Sequence, residues 1–126
     1  MEYSFDVKIA EKYGLKEAVM LKNIVLWCLK NRANNVNYND GFYWTYNSNR
    51  EFSELFPFWT EKQIRSILIS LEEKGLIVSG NYNKSSYDRT KWYAATNKAY
   101  SETGNYILPD EKIHLTARKK NQSSSN

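Results

Sequence analysis

The sequence predicts one mainly α-helical domain that carries a small antiparallel β-sheet. Three observations predict it. Apolar residues recur at helical spacing in two separated blocks, 15–31 and 61–74. Short runs rich in aromatic and β-branched residues, Phe42-Tyr43-Trp44-Thr45-Tyr46 and Leu76-Ile77-Val78, lie on either side of the second block. The chain has 126 residues, 41% of them hydrophobic and 25% charged, which suits a single buried core.

Each element follows from local chemistry. Asp6 is placed to cap a short helix over 7–12, which Gly14 stops. A long helix is expected over 15–31, with Lys16, Asn23 and Lys30 marking its polar stripe and Leu21, Ile24, Val25 and Cys28 lying away from it. Its run Ile24-Val25-Leu26-Trp27-Cys28-Leu29 is apolar all round. Such a segment is covered on most sides, within the domain or partly by a second subunit. Residues 34–41 read as a loop closed by Asp-Gly, and residues 42–46 as one strand. Asn47 or Ser48 caps a helix carrying Phe52, Leu55 and Phe56 on one face, and Pro57 ends it. Thr60 and Gln63 fit a capping box, followed by Ile64, Ile67, Leu68 and Leu71 on one face and Gly75 at the stop. Residues 76–78 and 91–96 form a hairpin across a polar loop at 80–89, and residues 97–102 add a last helical turn. Domain organisation is thus a folded unit over 1–104 and a polar tail over 105–126, expected to fray.

Helix, strand, helix, short turn, helix and hairpin, in that order, is the winged helix-turn-helix plan. The two helices of the motif are then 50–56 and 61–74, joined by Pro57-Phe58-Trp59-Thr60, and the hairpin is the wing.

Charge distribution gives this plan a chemical sense. The net charge is +4, and residues 1–59 carry seven Lys/Arg against seven Asp/Glu while residues 60–126 carry eleven against seven. The cationic excess therefore lies in the half that holds the second motif helix and the hairpin. On that helix the face opposite the apolar side carries Lys62, Ser66, Ile69 and Glu73, flanked by Arg65 and Ser70. Lys62 and Arg65 suit a phosphate or a guanine edge, and Ser66 a base or a phosphate. Gln63, if free of the cap, suits adenine, and Ile69 meets a thymine methyl or packs on the wing. In the wing, Asn83, Lys84, Ser85, Tyr87, Arg89 and Lys91 suit phosphate and minor-groove contact. Asp88 is expected to pair with Arg89 or Lys91, or to form an Asx turn. The plain alternative for both sets is a solvated surface. Phe42, Trp44, Tyr46, Trp92 and Tyr93 alternate along strands and are expected to pack on the sheet rather than stack on bases.

At the level of residues the chain resembles a known family. FSELFP, EKQIR, LEEKGLI and above all GNYNKSSYDRTKWY are similar to the N-terminal winged-helix domain of phage-type replication initiators and to the DnaD-like replisome organisers. The resemblance spans about residues 6–100. It implies double-stranded DNA as the ligand, replication initiation in a phage or plasmid setting, and replication proteins as further partners. Initiators of this type often carry a second domain that engages single-stranded DNA or the helicase loader. The residues after the hairpin are expected to hold no counterpart, as in a short form or a fragment, so that role is not carried over.

Other classes find no support in the sequence. A single cysteine, Cys28, allows no internal disulfide, and His114 stands alone, so neither a metal set nor a catalytic base is expected. No glycine-rich phosphate loop or nucleophile elbow is present, so neither an enzyme nor a cofactor is expected. The opening residues lack a secretory pattern and no apolar run could cross a bilayer, so a cytoplasmic location without membrane contact is expected. A homodimer through residues 3–29 is expected from the all-round apolar run. Two further readings share the fold, a transcriptional regulator and a protein-interaction module that binds no nucleic acid.

Overall fold

A computed structural model describes residues 1–104. The tail expected over 105–126 lies outside the described residues. Five helices and two small antiparallel sheets follow in the order α1 (Val7–Tyr13), α2 (Leu15–Ala33), β1 (Tyr38–Asn39), β2 (Phe42–Tyr43), β3 (Thr45–Tyr46), α3 (Asn49–Leu55), α4 (Glu61–Glu73), β4 (Ile77–Gly80), β5 (Trp92–Ala95) and α5 (Asn97–Glu102).

The helix boundaries are set by side chains that close orphan backbone donors. The Asp6 carboxylate accepts from the backbone N–H groups of Lys8 and Ile9. Ser48 and Glu51 form a reciprocal capping box on α3, and Thr60 and Gln63 form another on α4. Each cap contributes about 1 kcal/mol of helix stability. Gly75 takes φ +74° just after α4, where a side chain would be strained, and so lets the chain reverse into β4.

α2 is the axis of the core. Met20, Leu21, Ile24 and Cys28 are fully buried on it, packed with Phe52, Phe56, Ile64, Leu71, Leu76 and Ile77 from the elements around it. Its all-round apolar run is not wholly covered: Leu26 and Trp27 remain 52% and 39% exposed. The Lys30 ammonium sits over the Trp27 ring, 4.7 Å from its centroid.

The aromatic run 42–46, expected as one strand, is split at Trp44. Asp40 and Gly41 both take positive φ, +53° and +86°, the demand of a two-residue hairpin turn. That turn pairs Tyr38–Asn39 with Phe42–Tyr43, so the expected 34–41 loop contains a short strand. Trp44 then leaves the pairing, its Nε1 donating to the Asn39 carbonyl at 2.8 Å. Beyond it Thr45–Tyr46 joins a second sheet of order β3-β5-β4.

β5 is the central strand of that sheet and is buried on both faces. Tyr93 and Ala95 face the main core, while Trp92 and Ala94 pack with Trp44 in a second cluster flanked by Phe42, Val78 and Tyr82. The second cluster forms the root of the β4–β5 loop. A Cβ at Gly80 would lie 3.1 Å from Trp44 Cη2, so a side chain there would make the ring give by a few tenths of an ångström. The aromatics thus pack on the sheet, Tyr46 stacking on Trp92 with centroids 4.6 Å apart.

Candidate nucleic-acid interface

α3 and α4 pack against each other, and the outward face of α4 turns toward the β4–β5 loop. Between them runs an open groove of about 410 Å³. Leu68 of α4 and Tyr93 of β5 contribute its apolar lining, and Arg65, Ile69, Arg89 and Lys91 line it as well. Four of the residues singled out by sequence therefore come together in one place. Asn47, Ser48 and Asn49, at the start of α3, form a further wall. The sequence marked Asn47 and Ser48 only as caps. Their place beside α4 depends on the α3–α4 packing, which no local pattern displays.

The charges in the groove are available. Among the described residues the ion pairs are Lys12–Glu102 and Arg50–Glu54. None of Lys62, Arg65, Lys84, Arg89 and Lys91 takes part in either, and all five are exposed. Glu72 also lines the groove, with its carboxylate accepting from Ser79 Oγ at 2.8 Å. Burial, with the Glu72 charge as a smaller cause, pushes the Tyr93 phenol up to about 12, so that the groove's aromatic wall stays neutral.

Other candidate residues have different roles. Gln63 is occupied in the cap, its Oε1 accepting from the Thr60 N–H at 2.8 Å, so a two-pronged contact to adenine would require opening the capping box. Ser70 is turned toward α2, donating to Glu17 at 2.7 Å and accepting from Lys74 Nζ at 2.6 Å. It ties two helices together and does not line the groove. Asn83 is the organiser of the loop. Its Nδ2 donates to the carbonyls of Asp88 and Thr90 at 3.0 and 2.7 Å, and its Oδ1 accepts from Trp92 Nε1 at 2.8 Å. With donors and acceptor engaged, Asn83 serves the loop's shape.

The loop itself is a set of side-chain-braced turns. Asp88 makes the Asx turn, accepting from the Thr90 N–H at 3.0 Å, and that bond holds its carboxyl below the usual range. Ser85 Oγ accepts from the Tyr87 N–H at 3.2 Å, and the Asp88 N–H donates to the Ser85 carbonyl at 3.2 Å. The Tyr82 hydroxyl donates to Asp40 and fastens the loop to the β1–β2 turn. Tyr87 is left 93% exposed, with Lys84 and Ser85 also exposed near it in the chain. Lys62 and Ser66 are exposed on α4 but are not among the groove-lining residues.

Among the described residues no group of three or more His, Cys, Asp and Glu is placed to hold a metal ion, and no helix is long and apolar enough to cross a membrane. The chain matches no protein-family model, no curated protein and no solved structure.

Proposed function

We propose that this protein is a winged helix-turn-helix module that binds double-stranded DNA. In this reading α3 and α4 are the helix-turn-helix, α4 lies in the major groove, and the β4–β5 hairpin is the wing that follows neighbouring phosphates. The observation that carries it is the convergence of Arg65, Arg89 and Lys91 on one groove along α4, with no ion-pair partner for any of them among the described residues. Unpaired cations on a braced loop beside a helix face suit a polyanion, because phosphate neutralisation releases condensed counterions. Lys62 and Lys84 extend the cationic surface along the helix and the loop. The resemblance of GNYNKSSYDRTKWY to initiators and replisome organisers supports a role in phage- or plasmid-type replication initiation, with replication proteins as further partners.

The test is an NMR titration of the protein with a short mixed-sequence duplex. Amide shifts are expected along the outer face of α4 and in the loop from Lys84 to Lys91. If the duplex moves no resonance there, the DNA reading fails and a protein partner becomes the alternative.

A further inference from the structure

We infer that Ile69 reads the 5-methyl group of a thymine in the major groove. This inference rests on the DNA-binding reading above and makes it sequence-selective at a named position. α4 holds five large aliphatic side chains, and four of them, Ile64, Ile67, Leu68 and Leu71, are at most 3% exposed. Ile69 is 55% exposed and belongs to neither hydrophobic cluster. It is left out of the packed core and stands open to solvent. It lines the groove together with Arg65, Arg89 and Lys91.

An aliphatic branch among cations that form no ion pair with the described residues suits a ligand that offers an anion and an apolar group at close quarters. A purely acidic partner would use the cations and leave Ile69 wet. The duplex major groove supplies both kinds of contact, because the thymine methyl is the apolar group among its donor and acceptor edges. Arg65 precedes Ile69 by four residues, about one turn and ~6 Å of helix rise. Base pairs are spaced by about 3.4 Å. An Arg65 contact and an Ile69 contact therefore fall about two base steps apart on one site.

The experiment first selects preferred duplexes from a randomised pool with the full chain. Each thymine of the selected duplex is then replaced in turn by deoxyuridine, which removes the methyl and nothing else. One replacement is expected to weaken wild-type binding about fourfold, the worth of one buried methyl-sized group. The Ile69→Ala variant is expected to bind the unmodified duplex more weakly and to lose sensitivity at that one position. Ile69 is exposed, so this change leaves the fold in place. Salt-sensitive binding with no deoxyuridine effect, or with the same effect in Ile69→Ala, overturns the inference and leaves the DNA reading standing. A pool that yields no preferred sequence does the same. Absence of any duplex binding overturns both.

Discussion

Replacing Asn83 by alanine separates a scaffolding role from a DNA contact. The substitution removes two donated hydrogen bonds and one accepted hydrogen bond, at 3.0, 2.7 and 2.8 Å. Each is worth ~0.5–1.5 kcal/mol net. Asn83 is half-buried, so the two carbonyls recover some water while the Trp92 indole N–H, at the edge of a buried ring, recovers less. The total loss comes to roughly 1.5–3 kcal/mol. At about 4 °C per kcal/mol for a chain of this length, the melting temperature falls by roughly 6–12 °C. Asn83→Asp keeps the acceptor for Trp92 but turns a carboxylate toward two carbonyl oxygens, and is expected to be at least as damaging near neutral pH. Thermal melts followed by circular dichroism read both variants. A drop below about 2 °C for Asn83→Ala would refute the bracing role, since the loss of even one of these hydrogen bonds is worth about that much. If that variant melted like wild type yet bound DNA more weakly, Asn83 would be a contact residue.

Three further outcomes follow from the same geometry. Gly80→Ala places a methyl 3.1–3.2 Å from the Trp44 and Tyr82 rings and is expected to cost about 1–3 kcal/mol in a urea melt, whereas an unchanged midpoint would mean that those rings yield freely. Cys28 is fully buried and its thiol is pushed up to about 11 by burial, so labelling by a thiol reagent at mildly alkaline pH should follow unfolding, and fast labelling of the native protein would contradict the core packing. By the same shift, its contribution to stability is held below the ordinary thiol range and lost as pH rises toward 11. Phe5, Val7 and Leu26 remain 43%, 62% and 52% exposed, so sedimentation at high-micromolar concentration should show a homodimer that Val7→Asp with Leu26→Asp dissociates, and a wild-type monomer would remove that expectation.

What the sequence displayed, and what it hid, divides along the reach of each interaction. Caps act within one turn, so Asp6, Ser48 and the Thr60–Gln63 box could be read from spacing and are present in the structure. The buried face of α4 was equally legible, because helical periodicity places Ile64, Ile67, Leu68 and Leu71 together without any tertiary knowledge. Asp-Gly at 40–41 was visible as a turn, but its hairpin depends on short strands with no pattern of their own. Ser70 sits at the flank of the helix, and its partner Glu17 lies 53 residues away, so periodicity could not choose between solvent and α2. The loop residues share one polar composition, yet Asn83 braces the turn while Lys84 and Tyr87 project. Only the fold separates them.

The proposal that α4 and the hairpin loop form one phosphate-binding surface is tested most directly by the salt dependence of duplex affinity. Lys62, Arg65, Lys84, Arg89 and Lys91 are exposed there and take part in no ion pair among the described residues. If most of them neutralise phosphates, the logarithm of affinity falls against the logarithm of salt concentration with a slope of roughly −3 to −5 per subunit. Fluorescence titration of a mixed-sequence duplex at several salt concentrations gives that slope. Lys84→Ala and Arg89→Ala are each expected to flatten it by ~1 while weakening all sequences alike. Wild-type protein that shows no salt-sensitive binding to any duplex, or a slope untouched by both substitutions, would contradict the claim.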